Sequence, residues 1–208
     1  MKKVLLACLI ICLSTPLFAL GPLKIGLYGG FWGPSDSLYK GSAAFGGSLS
    51  FDFIKYLAVE IVGFSNNFNV TGSETGLSKG RIKRFPVLFG LRGQYPFLDG
   101  KLTPFVSIGV GIGKPKFKID SSVTAPWENV GIVIEENVED KTLIQIGGGV
   151  EYRIIKLLAI ALDARYLPSK NACKWSQKDA KSGNMLSGDL GELNFGGILL
   201  GLIIKIVI

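Results

Sequence analysis

The sequence contains no histidine, the side chain that most often acts as a general base near neutral pH. Activation of a serine or of a water molecule is difficult without one. Paired carboxylates could replace it, but Glu135 and Glu136 lie in a polar connection, where a solvated surface is the simpler interpretation. We therefore expect no enzymatic activity, no catalytic residues and no cofactor.

Cysteine is scarce, and two of the three cysteines, Cys8 and Cys12, fall in the N-terminal segment. Cys173 is then alone in the rest of the chain, so no internal disulfide can form there. We expect Cys173 to be an incidental thiol in an exterior connection, and the domain to be stabilised by its sheet.

Long hydrophobic runs are also absent, since no stretch gives 18 uninterrupted apolar residues and the run 198–208 is broken by Lys205. We expect no transmembrane helix. Residues 4–13 form an apolar segment of about ten residues, too short to cross a bilayer, directly after Lys2 and Lys3. This pattern predicts a signal peptide over residues 1–19 and one domain over 20–208.

The net charge of +7 does not indicate nucleic acid, because no Lys/Arg run is interleaved with aromatic residues on one helix. Anionic lipid headgroups or a merely solvated surface are the remaining interpretations. An acidic group at Glu135, Glu139 and Asp140 could attract calcium, but its spacing matches no known binding loop. We predict no metal site.

What the sequence does contain is alternation with period two, clearest in the hairpin 143–166. Ile144, Ile146 and Val150 share one face of the first arm, and glycine or charged residues occupy the other. The second arm of the hairpin and six other segments alternate in the same way. Together with the first arm they give eight predicted strands, at 23–32, 43–53, 56–64, 84–95, 102–113, 143–153, 158–166 and 190–207. Glycine, with 28 residues, occurs inside these segments, as on the inner wall of a narrow barrel.

The predicted connections alternate between long and short, which a soluble sandwich has no reason to do. Strands of about ten residues cross a bilayer when tilted. We therefore predict an all-β fold, an eight-stranded antiparallel up-and-down transmembrane β-barrel. The segment 130–134 inside the longest connection is apolar enough to extend the sheet as a small hairpin.

Charged residues fall on the predicted inner face, and in so narrow a lumen opposite charges should pair. The predicted structural charge network comprises Glu60, Arg92, Glu151, Arg153, Asp163 and Arg165, with Lys24 and Asp52 on the same face. The alternative interpretation is that the same residues line a gated path for ions or small solutes. Four aromatic residues near strand ends predict a belt at the headgroups: Trp32, Tyr95, Tyr152 and Tyr166.

Three segments resemble the small eight-stranded outer-membrane barrels of the OmpA/OmpX-like superfamily: 101–113 (KLTPFVSIGVGIG), 147–153 (GGGVEYR) and 162–166 (LDARY). The resemblance covers nearly the whole of 20–208. It implies the outer membrane of a diderm bacterium, contact with outer-membrane lipids, and a structural or surface-interaction role. Several known barrel enzymes resemble one another in needing a histidine as base or acid, and this chain has none.

We expect any surface partner to bind the connections 65–80, 114–141 and 168–189, because rigid barrels display function on loops. We expect a monomer. Two other functions stay open: an OmpW-like channel for small hydrophobic or other small solutes, and a soluble lipocalin-like carrier with the apolar face turned inward.

Overall fold

The computed structural model describes residues 21–36, 39–70, 78–179 and 182–208. The predicted signal peptide lies outside these residues. Within them, no helix is long and apolar enough to cross a membrane.

Eight antiparallel strands close into a barrel, which confirms the predicted fold class. Their bounds are β1 Leu23–Pro34, β2 Ser42–Ile54, β3 Leu57–Val70, β4 Gly80–Gln94, β5 Leu102–Ile119, β7 Lys141–Ile155, β8 Leu158–Leu167 and β11 Gly197–Val207. Around the wall their order is β1-β11-β8-β7-β5-β4-β3-β2. The pairing of β1 with β11 closes the sheet, so the barrel itself has no free edge.

The alternation in the sequence becomes an apolar outside and a mixed inside. Leu27, Val106 and Ile146 point outward and are at least 60% exposed, whereas Lys24 and Arg92 point inward and are buried. This is the arrangement that a lipid-facing wall requires. A soluble carrier would need the opposite one.

The two rims of the barrel differ. At the turn rim the strands are joined by residues 55–56, 95–101 and 156–157. The middle one of these connections contains a 3₁₀ turn, Leu98–Gly100, in which Leu98, Asp99 and Gly100 all have positive φ. At the loop rim the connections are long, and β3, β4 and β5 continue beyond their predicted ends to Val70, Gly80 and Ile119.

A second sheet, which the sequence did not predict, lies at the loop rim. It has the order β10-β9-β6, formed by β6 Ile132–Val138, β9 Lys170–Asp179 and β10 Met185–Asn194. Helix α1, Ser121–Glu128, precedes β6 and is capped by the Asp120 side chain, which accepts from the Ser122 backbone N–H at 2.9 Å. The apolar segment 130–134 therefore contributes to a strand that pairs with β9, not to a hairpin of its own.

The predicted last strand, 190–207, is wrong at its start. Residues up to Asn194 belong to β10, and the membrane strand β11 begins at Gly197. The break is local: the Asn194 side chain accepts from the Gly196 N–H at 3.0 Å, and the Phe195 N–H donates to the Ser169 carbonyl at 2.8 Å. A turn stabilised in this way separates two strands that belong to different sheets.

Candidate functional site in the barrel lumen

Glu151 of β7 is the centre of a buried charge network in the half of the lumen near the turn rim. Its Oε1 accepts from Lys24 Nζ of β1 at 2.8 Å. Its Oε2 accepts from Arg92 Nη2 of β4 at 2.9 Å and from Lys205 Nζ of β11 at 2.8 Å. One carboxylate thus joins four strands across the lumen.

Lys24 extends this network to Asp52 of β2, at 3.0 Å from Oδ2. Lys205 was missed as a network member, because in the sequence it stood out merely as an interruption of an apolar run. The signal was nevertheless present, since Lys205 has the same parity as Gly197 and Gly201, both of which are inner-wall positions opposite β1.

A second cluster surrounds Arg165 of β8. Its Nη1 donates to Glu60 Oε1 and to Gln145 Oε1, both at 2.7 Å, and its Nε donates to Asp163 Oδ2 at 2.6 Å. Gln145 in turn donates to Glu60 at 3.4 Å. The guanidinium is therefore held in place by two carboxylates and an amide.

The two clusters together are neutral. Among the described residues, their cations are Lys24, Arg92, Arg165 and Lys205, and their carboxylates are Asp52, Glu60, Glu151 and Asp163. Unpaired charge inside a barrel this narrow would carry a large desolvation cost, which equal numbers of both signs offset.

Glycine on the inner wall makes room for these side chains. A Cβ on Gly109 would lie 3.0 Å from Gln145 Nε2, and one on Gly147 would lie 3.0 Å from Arg165 Cγ. Both positions would also press on neighbouring backbone carbonyl oxygens, at 2.4 and 2.8 Å. The glycine-rich strands and the large charged side chains are thus two parts of one packing arrangement.

Of the six residues predicted to form the charge network, Arg153 is the one that lies apart from it. It lines a polar recess of about 500 Å³ at the turn rim, together with Lys55, Gln94 and Asp99. Within the described part of the chain it forms no ion pair. The recess is where solvent meets the network, since Lys24 and Asp52 also line it.

The half of the lumen near the loop rim is apolar. The apolar core cluster of the lumen is formed mainly by Tyr28, Trp32, Ala44, Val62, Phe64, Leu88, Leu143, Leu167, Leu199 and Ile203. Phe105 belongs to the same cluster but lies in the charged half, where the Arg92 guanidinium is 3.7 Å from the centre of its ring. Trp32 was predicted to lie in the headgroup belt, and that prediction is wrong: it has the inward parity of β1 and is fully buried. Tyr95, Tyr152 and Tyr166 are about half exposed on the outer face.

A second apolar core continues beyond the membrane strands and supports the loop-rim sheet. It contains Tyr39, Phe68, Val70, Ile82, Val138, Cys173 and Phe195. Arg84 lies between the two cores, with its guanidinium 4.7 Å from the Trp32 ring and donating to the Phe195 carbonyl. Cys173 was predicted to lie in an exterior connection, but it is a buried residue of β9.

Two acidic residues at the loop-rim sheet, Glu136 and Glu139, have short-range partners. Glu136 accepts from the Ser78 hydroxyl at 2.6 Å, and Glu139 pairs with Lys174 at 2.6 Å on the surface. In the part of the chain that the structure describes, no group of three or more acidic or cysteine side chains is placed to hold a metal ion.

The arrangement fills the lumen at two levels. Arg92 and Arg165 are fully buried in the charged half, and Trp32 and Phe64 are fully buried in the apolar half. A solute crossing the barrel would have to displace both an ion-paired layer and an aromatic layer. In this conformation the lumen is filled by the side chains of the barrel itself.

The fold is that of the small eight-stranded outer-membrane β-barrels. No protein-family model and no curated protein matches the chain. The solved structures that resemble it include the outer membrane protein OprG from Pseudomonas aeruginosa, with a TM-score of 0.70 and 14% identity, covering 91% of this chain and 97% of OprG. At this identity the similarity establishes the fold.

Two further structures agree. The outer membrane protein AlkL in lipid bilayers has a TM-score of 0.56 and 16% identity, with 90% of both chains covered. The Escherichia coli outer membrane protein W has a TM-score of 0.50 and 12% identity, covering 88% of this chain and 96% of the other. The predicted resemblance to small outer-membrane barrels is confirmed.

Proposed function

We propose that this chain is a non-conducting outer-membrane barrel that displays its loop-rim sheet for interaction at the cell surface. The observation that carries the proposal is the network around Glu151, which joins Lys24, Arg92 and Lys205 across the lumen. A barrel closed by its own ion pairs is suited to holding a surface structure in place. It is poorly suited to passing solutes.

The location in the membrane is supported by the outer wall. Apolar side chains such as Leu27, Phe45 and Ile108 are exposed there, and aromatic rings at the turn rim form the beginning of a girdle. Tyr56 stacks on Tyr95 with ring centroids 5.6 Å apart. Outer-membrane lipids are therefore the partners we propose for the wall.

The display role is supported by the second core, which gives the loop-rim sheet a packed interior of its own. Phe195 contacts Tyr39 and Phe68 at centroid distances of 5.3 and 5.9 Å. The connections proposed to bind a partner, 114–141 and 168–189, supply most of that sheet; 65–80 adjoins it where the structure describes it. We further propose a monomer without enzymatic activity or a nucleic-acid partner.

Conductance tests the closed lumen. The refolded barrel, checked by its heat-modifiable electrophoretic mobility, is inserted into planar lipid bilayers and held at voltages of both signs. We expect no stable conductance steps. Frequent, uniform steps from a correctly folded sample would contradict the proposal and favour a channel.

A conduit for small hydrophobic molecules is the second candidate, and the apolar loop-side half of the lumen favours it. The lipid-facing wall also has a shallow apolar depression of about 570 Å³, beside Gly29, Gly148 and Leu202. Uptake of an apolar fluorescent solute by vesicles containing the barrel tests this function. Uptake above that of empty vesicles would support the conduit.

A further inference from the structure

The outward face of two neighbouring strands, β4 and β5, changes from apolar to basic as it nears the loop rim. On β4 the outward residues pass from Phe89 and Phe85 to Lys83 and Arg81. On β5 they pass from Ile112 to two further lysines, Lys116 and Lys118. We name Arg81, Lys83, Lys116 and Lys118 the basic patch.

The four cations of the basic patch lie opposite one another in the sheet. Arg81 is paired in register with Lys118, and Lys83 with Lys116. Like charges placed directly across a strand pair are destabilising. All four side chains are exposed, and none forms an ion pair within the described residues. The sheet thus holds four uncompensated positive charges together.

The strand next to the basic patch adds neutral donors and acceptors. On β3, Asn69 is in register with Arg81 and Asn67 with Lys83. Arg81 Nε donates to Asn69 Oδ1 at 3.4 Å, which orients the guanidinium along the wall. The nearest carboxylate along β5 is that of Asp120, and it caps α1.

Other parts of the loop rim do not have such a concentration of unpaired positive charge. On β9, Lys174 is paired with Glu139. On the opposite wall, the outward residues at the same rim are Tyr166 of β8 and Ile198 of β11, which are in register with each other. The positive charge is therefore concentrated on the β3–β4–β5 side.

The basic patch lies at the height of the outer-leaflet headgroups. From Tyr95 at the turn rim to Phe85, β4 covers about 34 Å of strand at ~3.4 Å per residue, or roughly 26 Å along the barrel axis at a tilt of about 40°. An outer-membrane apolar band is about 25 Å tall. Lys83 and Arg81 follow immediately after that band.

We propose that the basic patch binds an outer-leaflet lipid whose headgroup carries at least two phosphate groups. Side chains in register across two strands are about 5 Å apart, and those two residues apart on one strand are about 7 Å apart. Two cation pairs at that separation match two phosphates better than one phosphodiester, which would leave most of the charge uncompensated. The proposal rests on the proposed membrane location.

Native mass spectrometry of the detergent-folded barrel tests the proposal, with a diphosphorylated glucosamine-disaccharide lipid as the probe. Its monophosphorylated form and sodium pyrophosphate serve as comparison ligands. The test variant is R81Q/K83Q/K116Q/K118Q. The control, K55Q/K101Q/K156Q/K170Q, also removes four charges, but at exposed positions elsewhere on the two rims. Two double variants, R81Q/K118Q and K83Q/K116Q, each remove only two of the four charges and so disturb folding less than the fourfold variant.

We expect the wild type and the control to retain the diphosphorylated lipid, and the test variant to bind it more than about tenfold less tightly, since each removed cation weakens attraction to anionic headgroups. Each pair variant should fall between them. Equal retention by all variants would overturn the proposal. So would equal binding of the monophosphorylated lipid, or displacement of the lipid by pyrophosphate at similar concentration.

Folding is scored separately through heat-modifiable mobility in lipid vesicles. A wild-type chain that never reaches that form would contradict the membrane barrel itself. A folded wild type that retains no lipid would contradict the lipid site and leave the barrel intact.

Discussion

The two halves of the lumen are filled by different chemistry. Near the turn rim, Glu151 and Arg165 organise two clusters of buried ions that are neutral when taken together. Near the loop rim, Trp32, Phe64 and their neighbours pack as in a soluble core. The outer wall is apolar beside both halves, so the membrane does not impose the difference. A barrel of this width can be closed by ion pairs or by close packing, and this chain uses both.

The largest effect should come from removing the central carboxylate. Glu151→Gln leaves Lys24, Arg92 and Lys205 buried without their shared partner, and we expect about 3–5 kcal/mol of lost stability. The folded fraction by heat-modifiable mobility across a urea series in detergent measures it. Glu139→Gln, which affects a surface pair, is the control and should leave the midpoint unchanged. A normal midpoint for Glu151→Gln would mean that the network does not stabilise the barrel.

Truncation in the apolar half should cost somewhat less. Phe64 is fully buried between Tyr28 and Trp32, and Phe64→Ala should lose about 3 kcal/mol, because those two rings can move into part of the space. The same urea series measures it. Phe45→Ala, on the lipid-facing side of β2, is the control and should change little. Because the charged half stays closed, Phe64→Ala should also remain non-conducting, and a conducting variant would show that the apolar layer is the true barrier.

A smaller, local effect is expected from the second core. Phe195→Ala removes the ring that packs on both Tyr39 and Phe68, and should loosen the loop-rim sheet without unfolding the barrel. Limited proteolysis should then cut within 168–196 faster, at an unchanged urea midpoint. Leu186→Ala, exposed on β10, is the matched control. A barrel that unfolds together with its loop-rim sheet would show that the two cores are one cooperative unit.

The smallest effect concerns the reactivity of Cys173 rather than stability. Burial, followed by the nearby charges of Glu136, Asp189 and Glu139, raises the pKa of its thiol to about 11. Below pH 9 the reactive thiolate is therefore about 100-fold rarer than in a thiol of pKa 9.0. In a background with Cys8 and Cys12 replaced by serine, maleimide labelling of the folded barrel at pH 7–8 should be slow and should accelerate as the pH approaches 11. Rapid labelling at pH 7 would indicate that the loop-rim sheet opens readily.

The same contrast between the two halves explains what the sequence could predict. Where the lumen is charged, the period-two pattern is plain, and it placed Glu60, Arg92 and Glu151 on the inner face. Where the lumen is apolar, both faces of a strand are apolar, as at Leu199 and Ile203 of β11. The parity of Lys205 was consequently overlooked and the inward position of Trp32 misjudged.

The second sheet was missed for another reason. Its strands are polar and half exposed, and the pairing of β6 with β9 spans a long stretch of sequence. Local pattern carries no information about such a partner. The start of the last strand was wrong for a related reason: β10 runs into β11 with only Phe195 and Gly196 between them, and distant partners set which sheet each strand joins.

The pairing of β1 with β11 has a kinetic consequence. These strands come first and last among the barrel strands, so the wall cannot close on a partly synthesised chain, and loop-closure entropy opposes their meeting until the intervening strands are in place. Until then β1 and β8 each present an unpaired edge, a known template for aggregation. The strand that finally covers both edges also brings Lys205 to Glu151. Completion of the wall and completion of the ion-pair network are therefore one event late in folding.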